Sequence, residues 1–282
     1  MVTLLFLGLA PVMRAQTIKG FSSPESVNSD GKFLYVTNIG SDDAPKLKNG
    51  HGFISKLSLD GKVIARSITR VKLNGPKGTA VIKGVLYVAD EERVVGIDLA
   101  TGRRKAAISL AAYGTNLTND LAVKDDHTLF VSTTDIGKIF EVDVITGKVK
   151  AIADIKGANG IWYDKASNRL FVCSFHFDDV KAGEIGVVSW QQGKPVYERI
   201  GNFRGAFDGL AQLDKHTLLV SDWGALDHAA GFIEKIDLRS GTAVKLDLPL
   251  LYGPADFFVD FTGKRLVVPV LKEGAVLINK QR

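Results

Sequence analysis

The sequence predicts an all-β fold, a six-bladed β-propeller of four-stranded antiparallel blades whose ring is closed by an N-terminal strand. Three observations carry this. A short apolar strand motif recurs six times along the chain. No amphipathic helix of useful length separates the copies, which argues against β-α-β units. Glycine is frequent, with 29 residues, and falls at turns between aliphatic runs.

The repeated motif is the second strand of each unit. It reads Phe33-Leu34-Tyr35-Val36, Val85-Leu86-Tyr87-Val88, Thr128-Leu129-Phe130-Val131, Arg169-Leu170-Phe171-Val172, Thr217-Leu218-Leu219-Val220 and Arg265-Leu266-Val267-Val268. A third strand follows, often ending in Asp, as in Val95-Gly96-Ile97-Asp98 and Ile233-Glu234-Lys235-Ile236-Asp237. Glycine turns such as Thr101-Gly102, Thr146-Gly147 and Ser240-Gly241 come next, because glycine reaches positive φ without strain. A fourth strand ends the unit. Four strands repeating every 40 to 50 residues or so is a blade signature. The last repeat offers only three strands, and Thr17 to Phe21 is a spare strand at the other end of the chain. That strand is expected to complete the sixth blade and leave no open edge.

Residues 1–15 stand apart from this pattern. Val2 to Val12 is almost wholly apolar and is followed by Met13-Arg14-Ala15, which has the form of a signal-peptide apolar region and small-residue cleavage site. The expected organisation is therefore a signal peptide over 1–15 and one propeller domain over 16–282, in a periplasmic or secreted protein. The apolar run is too short to span a bilayer comfortably, and no second one is long enough. The formal net charge of +5 is mild and dispersed, so no nucleic-acid partner is expected. Cys173 is the single cysteine, which excludes an internal disulfide and a thiolate metal cluster; its place in an apolar run makes it a core residue. The chain lacks a Gly-x-Ser-x-Gly elbow, a His-Glu-x-x-His motif and a phosphate loop.

In a propeller the first strands of the blades line a central channel, and ligands bind at one mouth. The residue opening each first strand, before Gly, Asp or Ser and an apolar residue, is Glu25, Lys77, Asn119, Asn159, Asp208 and Ala255. Glu25, Asn119, Asn159 and Asp208 are oxygen donors. Two carboxylates and two amides suit one hard divalent cation, and the absence of His and Cys from the set disfavours a zinc-type nitrogen and sulfur site. Asn-Gly and Asp-Gly are also ordinary turn pairs. Lys77 could instead pair with Glu25 in place of a metal, or contact a substrate carboxylate or an oxyanion.

These motifs resemble the senescence-marker-protein, gluconolactonase and regucalcin-like group of six-bladed propellers. Pro24-Glu25-Ser26-Val27 is similar to that group's first-blade Glu motif, Asn159-Gly160-Ile161 to its Asn-Gly-Leu motif, and Asp208-Gly209-Leu210 to its Asp-Gly-Met/Leu motif. The resemblance implies hydrolysis of a small lactone or ester with a divalent cation, calcium first and magnesium, manganese or zinc as other choices. It implies Glu25, Asn159 and Asp208 as metal ligands, Asp208 as general base, and Asn119-Asp120 as a substrate-side pair. Lys77 is the further candidate for substrate contact. Leu117 stands where the group carries an arginine. The competing reading is a non-catalytic periplasmic propeller that binds a ligand or a protein partner at the same mouth.

Loops after the second strands, Phe175 to Gly183 and Asp42 to His51, are expected to rim that mouth. Asn38, Asp90 and Asp222 end second strands and are expected as satisfied turn groups, with Trp223 either a ligand wall or core.

Overall fold

A computed structural model describes residues 14–40, 48, 50–262 and 264–280. The apolar run from Val2 to Val12 and most of the Asp42 to His51 loop lie outside the described residues. The described chain forms six four-stranded antiparallel sheets.

Blade 1 comprises Pro24–Ser29, Phe33–Asn38, Phe53–Ser58 and Val63–Ala65; blade 2 comprises Pro76–Ile82, Val85–Asp90, Arg93–Asp98 and Arg104–Ser109. Blade 3 is Thr118–Val123, Thr128–Thr133, Lys138–Asp143 and Val149–Asp154; blade 4 is Ala158–Asp164, Arg169–Ser174, Ile185–Gln191 and Lys194–Arg199. Blade 5 is Phe207–Asp214, Thr217–Asp222, Phe232–Asp237 and Thr242–Lys245. Blade 6 joins Phe258–Asp260, Arg265–Val270 and Ala275–Lys280 to the N-terminal strand Arg14–Lys19.

The closing strand is as expected in role but begins earlier than Thr17. Arg14 and Ala15, the last two residues of the 1–15 segment, pair with Lys280 and Asn279, and Lys19 pairs with Ala275. Gly20 and Phe21 then donate backbone N–H groups to the Gly274 carbonyl. The last strand of the chain is thereby paired on both sides.

The second strands explain why their motif was legible. Each has a half-buried first residue and five buried ones after it. They are covered on both faces by neighbouring blades, so they read as continuous apolar runs rather than alternating ones. Large side chains such as Tyr35, Phe130 and Phe171 fill the wedges between blades. Leu129 and Phe140 of blade 3 pack with Tyr87 and Val94 of blade 2, and Phe130 packs with Ile161 and Leu170 of blade 4. The outermost strands of blades 1 and 5, Val63–Ala65 and Thr242–Lys245, are largely exposed.

Polar bonds stitch the seams near the axis. Asn28 Nδ2 donates to the Thr79 carbonyl, Ile161 N–H to Asp120 Oδ2, and Ser221 Oγ to the Ala255 carbonyl. Where blade 6 meets blade 1, Val27 N–H donates to the Asp256 carbonyl and Asp256 N–H to the Glu25 carbonyl.

Candidate functional site

The same irregularity occurs in the first strand of five blades. The ladder with the second strand skips between Pro24 and Val27, Pro76 and Thr79, Thr118 and Leu121, Ala158 and Ile161, and Phe207 and Leu210. Such bulges re-aim side chains, and each falls on a predicted mouth residue: Glu25, Lys77, Asn119, Asn159 or Asp208. The backbone freed by the bulge is bonded by the second strand. Ser26 N–H donates to Thr37 Oγ1, Asp120 N–H to Ser132 Oγ, and Gly209 N–H to Ser221 Oγ. Cys173 holds the corresponding place in blade 4, where its Sγ donates to the Asp208 carbonyl at 3.2 Å. Its role is structural, and burial raises its thiol pKa well above the usual range.

The glycines after Lys77, Asn159 and Asp208 are strand residues, not turn residues. A Cβ on Gly160 would lie 2.1 Å from the Asp208 carbonyl oxygen. One on Gly78 would lie 2.5 Å from Asp120 Cα, and one on Gly209 2.8 Å from Asp256 Cα. Close approach of first strands around the axis requires them.

Five of the six aligned residues, Glu25, Lys77, Asn119, Asn159 and Asp208, line one cavity of about 950 Å³. All five are buried. Ala255 is buried but does not line it. Four oxygens in this group are buried without a hydrogen-bond partner: Glu25 Oε2, Asn119 Oδ1, Asn159 Oδ1 and Asp208 Oδ1. Unpaired buried oxygens are costly, and carboxylate and amide oxygens are the donor type that a hard cation takes. Among the described residues no three His, Cys, Asp or Glu side chains form a metal cluster. The set that fits a hard cation here is mixed, with carboxylate and amide oxygens together.

A second ring of residues lies around the first, and the sequence reading did not align it. The residue following each second strand is Ile39, Glu91, Thr134, Phe175, Trp223 or Leu271. All but Thr134 line the cavity. In three blades the outer residue holds its inner partner. Asn119 Nδ2 donates to Thr134 Oγ1 at 3.0 Å, and Trp223 Nε1 donates to Asp208 Oδ2 at 2.7 Å. In blade 2, Lys77 Nζ lies 3.6 Å from Glu91 Oε1 and donates to the Gly75 carbonyl at 3.0 Å. The ion pair of Lys77 is thus with Glu91, not with Glu25.

Beneath the mouth lie two further carboxylates. Asp120 accepts from the N–H groups of Leu121 and Ile161 at 2.6 and 2.8 Å. Asp256, unremarked in the sequence, accepts from Ser26 Oγ at 2.5 Å. Burial raises Asp208 to about 7; the Trp223 hydrogen bond and Lys77 pull it down, and Asp256 pushes it up. Burial also raises Asp256 to about 7, against the Ser26 hydrogen bond. Glu25 is pushed well up, by burial first and then by the negative charge of Asp208. Asp120 is raised likewise, by burial and then by Asp256. Excess negative charge at such a site is what a divalent cation neutralises.

Asn38, Asp90 and Asp222 are satisfied, as expected. Asn38 Oδ1 accepts from Ser22 N–H, Asp90 from Asn74, Gly75 and Arg93, and Asp222 from Ala206 and Gly224. In blades 2 and 5 they fix the chain just before the first strand and so set where Lys77 and Asp208 begin.

Fold and mouth together define a six-bladed propeller with a pocket at one end of its channel that sets buried carboxylates and amides beside apolar side chains. Solved structures share the architecture. A candidate gluconolactonase superposes with a TM-score of 0.69 at 16% identity, covering 98% of this chain and 94% of that one. The calcium-binding protein regucalcin from Agrobacterium tumefaciens superposes with a TM-score of 0.68 at 16% identity, covering 94% and 93%. A protein of unknown function from Bacteroides thetaiotaomicron gives 0.69 at 12%, covering 92% and 70%. At these identities the likeness is one of fold. No family model and no curated protein sequence matches the chain.

Proposed function

We propose that this propeller hydrolyses a small lactone or ester at the channel mouth, with a divalent cation, calcium first, held by Glu25, Asn159 and Asp208. The observation that carries the reading is the set of buried, unpartnered oxygens Glu25 Oε2, Asn119 Oδ1, Asn159 Oδ1 and Asp208 Oδ1, all on residues that line one cavity. The fold shared with a calcium-binding regucalcin and a candidate gluconolactonase supports it.

When bound, the cation supplies positive charge that polarises a carbonyl and stabilises negative charge developing on its oxygen. The protein's own residues account for the rest. Asp208, with one oxygen held by Trp223, is the side chain placed to take and return a proton. Water adds to the carbonyl carbon and gives its proton to Asp208. The acyl carbon–oxygen bond then breaks, and the proton passes to the leaving oxygen, which yields a hydroxy acid or an acid and an alcohol. Asn119, held by Thr134, orients the substrate. Lys77 contacts the acidic product and is kept in place by Glu91 and the Gly75 carbonyl.

The test is thermal unfolding with EDTA and with Ca²⁺, for the native chain and for Glu25→Ala. A calcium-dependent rise in melting temperature that Glu25→Ala abolishes, with lactone turnover that EDTA removes, supports the reading. A chain that calcium does not stabilise at any concentration, and that turns over no lactone, is a ligand-binding propeller instead.

A further inference from the structure

The mouth differs in chemistry from side to side. Towards blades 2 and 3 it is lined by Lys77, Glu91, Asn116, Asn119 and Asp135, with Leu117 among them. Towards blades 4, 5 and 6 its rim is Phe175, Phe177, Trp223, Leu226 and Leu271, with the charged Lys272 next to Leu271. Four of them, Phe175, Phe177, Trp223 and Leu271, form a continuous wall. The rings of Phe175 and Trp223 meet edge to face at 5.4 Å, and those of Phe175 and Phe177 lie 4.9 Å apart. Leu271 packs on the cluster of Phe175, Ala206 and Trp223.

The wall is only partly covered by the protein. Phe177 is 65% exposed and Leu226 is 37% exposed, and both line the cavity. Large apolar side chains left open at the lip of a pocket that also holds buried polar groups mark a ligand-binding surface. Trp223 joins the two halves, because its ring is part of the wall while its N–H holds Asp208. A molecule whose carbonyl lies against Asp208 therefore meets the aromatic and aliphatic surface of Phe175, Trp223 and Leu271 on that side.

We propose that the ligand is amphipathic: a lactone or ester carrying an alkyl or aryl tail, which lies along Phe175, Phe177, Trp223 and Leu271 and is favoured over a polyhydroxylated sugar lactone. The proposal rests on the hydrolase reading for the carbonyl end, but the tail-binding wall stands apart from it. Phe177 is the specificity-determining residue, since it lines the cavity and is the most exposed member of the wall.

Two measurements separate the claims. The first is kcat/KM for γ-butyrolactone, γ-octalactone, γ-decalactone and glucono-δ-lactone in the presence of Ca²⁺. The second is the thermal shift given by 5-alkyl-2-pyrrolidinones of increasing chain length, lactam isosteres used as binding probes. The expected rise in kcat/KM is up to about fourfold per added methylene while the tail covers the wall, and glucono-δ-lactone is a poor substrate. Phe177→Ser, an exposed substitution, should reduce the ratio of γ-decalactone to γ-butyrolactone about tenfold or more. Turnover that is flat with chain length, or best with glucono-δ-lactone, overturns the proposal and leaves the hydrolase reading standing. No turnover, but lactam shifts that grow with chain length and shrink in Phe177→Ser, sustains the tail site and removes the hydrolase. Neither turnover nor lactam binding overturns both.

Discussion

The indole Nε1 of Trp223 donates to Oδ2 of Asp208 at 2.7 Å, and Oδ1 of the same carboxylate is left buried without a partner. One oxygen is fixed by the protein and the other has no protein partner. In the proposed reaction that division would let a single aspartate serve as an oriented ligand and proton acceptor. Partners behind a ligand commonly tune it in this way.

Trp223→Phe keeps the ring and removes the donor. The hydrogen bond lowers the Asp208 pKa, so its loss should move that group above about 7. Calcium affinity at pH 7 should fall about tenfold, and the pH at which calcium binding is half-maximal should move upward. Calcium titrations by calorimetry between pH 6 and 9 read both. A lower melting temperature with an unmoved pH midpoint would mean that Trp223 only packs.

The buried carboxylates at and beneath the mouth also set a pH dependence of stability opposite to the usual one. Glu25, Asp120, Asp208 and Asp256 are all raised, with burial the largest cause in each. Between about pH 4 and 7 the unfolded chain releases these protons while the folded one keeps them, so stability falls as pH rises through that window. Surface carboxylates with lowered values, such as Asp98 and Asp143, lose their contribution only at lower pH, as it falls through about 4. In EDTA the melting temperature should therefore be higher at pH 5.5 than at pH 8, by roughly 5 °C. Calcium competes with protons for the same oxygens, so adding it should shrink or reverse the difference. A melting temperature in EDTA that rises from pH 5.5 to 8 would contradict the buried cluster.

The blades and the inner ring could be read from sequence because both are locally encoded. A second strand buried on both faces has to be apolar throughout, and Leu34, Leu86, Leu129, Leu170, Leu218 and Leu266 occupy equivalent places. The outer ring had no such signal. Ile39, Glu91, Thr134, Phe175, Trp223 and Leu271 share a position but no chemistry, and only tertiary packing sets each against its inner neighbour. Glu91 moreover adopts φ of +58°, a turn setting that its residue type does not announce. Asp256 was hidden because the first strand of blade 6 spans only Phe258–Asp260, while Asp256 bridges across to Ser26 of blade 1. The Asn-Gly and Asp-Gly pairs pointed to turns by residue type. The demand they meet is instead for two strands to pass within reach of each other.

That demand makes Gly160 the most restrictive small residue at the site. Its φ is not in the left-handed region, so an alanine there is not strained by backbone conformation. The obstacle is the Asp208 carbonyl oxygen, 2.1 Å from where Cβ would sit, which is backbone and is itself held by Cys173. Gly160→Ala must therefore push apart the first strands of blades 4 and 5. Those strands carry Asn159 and Asp208, two of the proposed cation ligands. The substitution should cost about 1–3 kcal/mol in urea unfolding and weaken calcium binding by a larger factor than that loss of stability explains, because the distance between two donors changes. Gly31→Asn is the comparison. It has open space around the glycine and a positive φ that asparagine tolerates, so it should shift stability by only about 0.5 kcal/mol and leave calcium affinity unchanged. Should Gly160→Ala lose stability yet bind calcium as tightly as the native chain, the spacing of these two strands does not set the donor geometry.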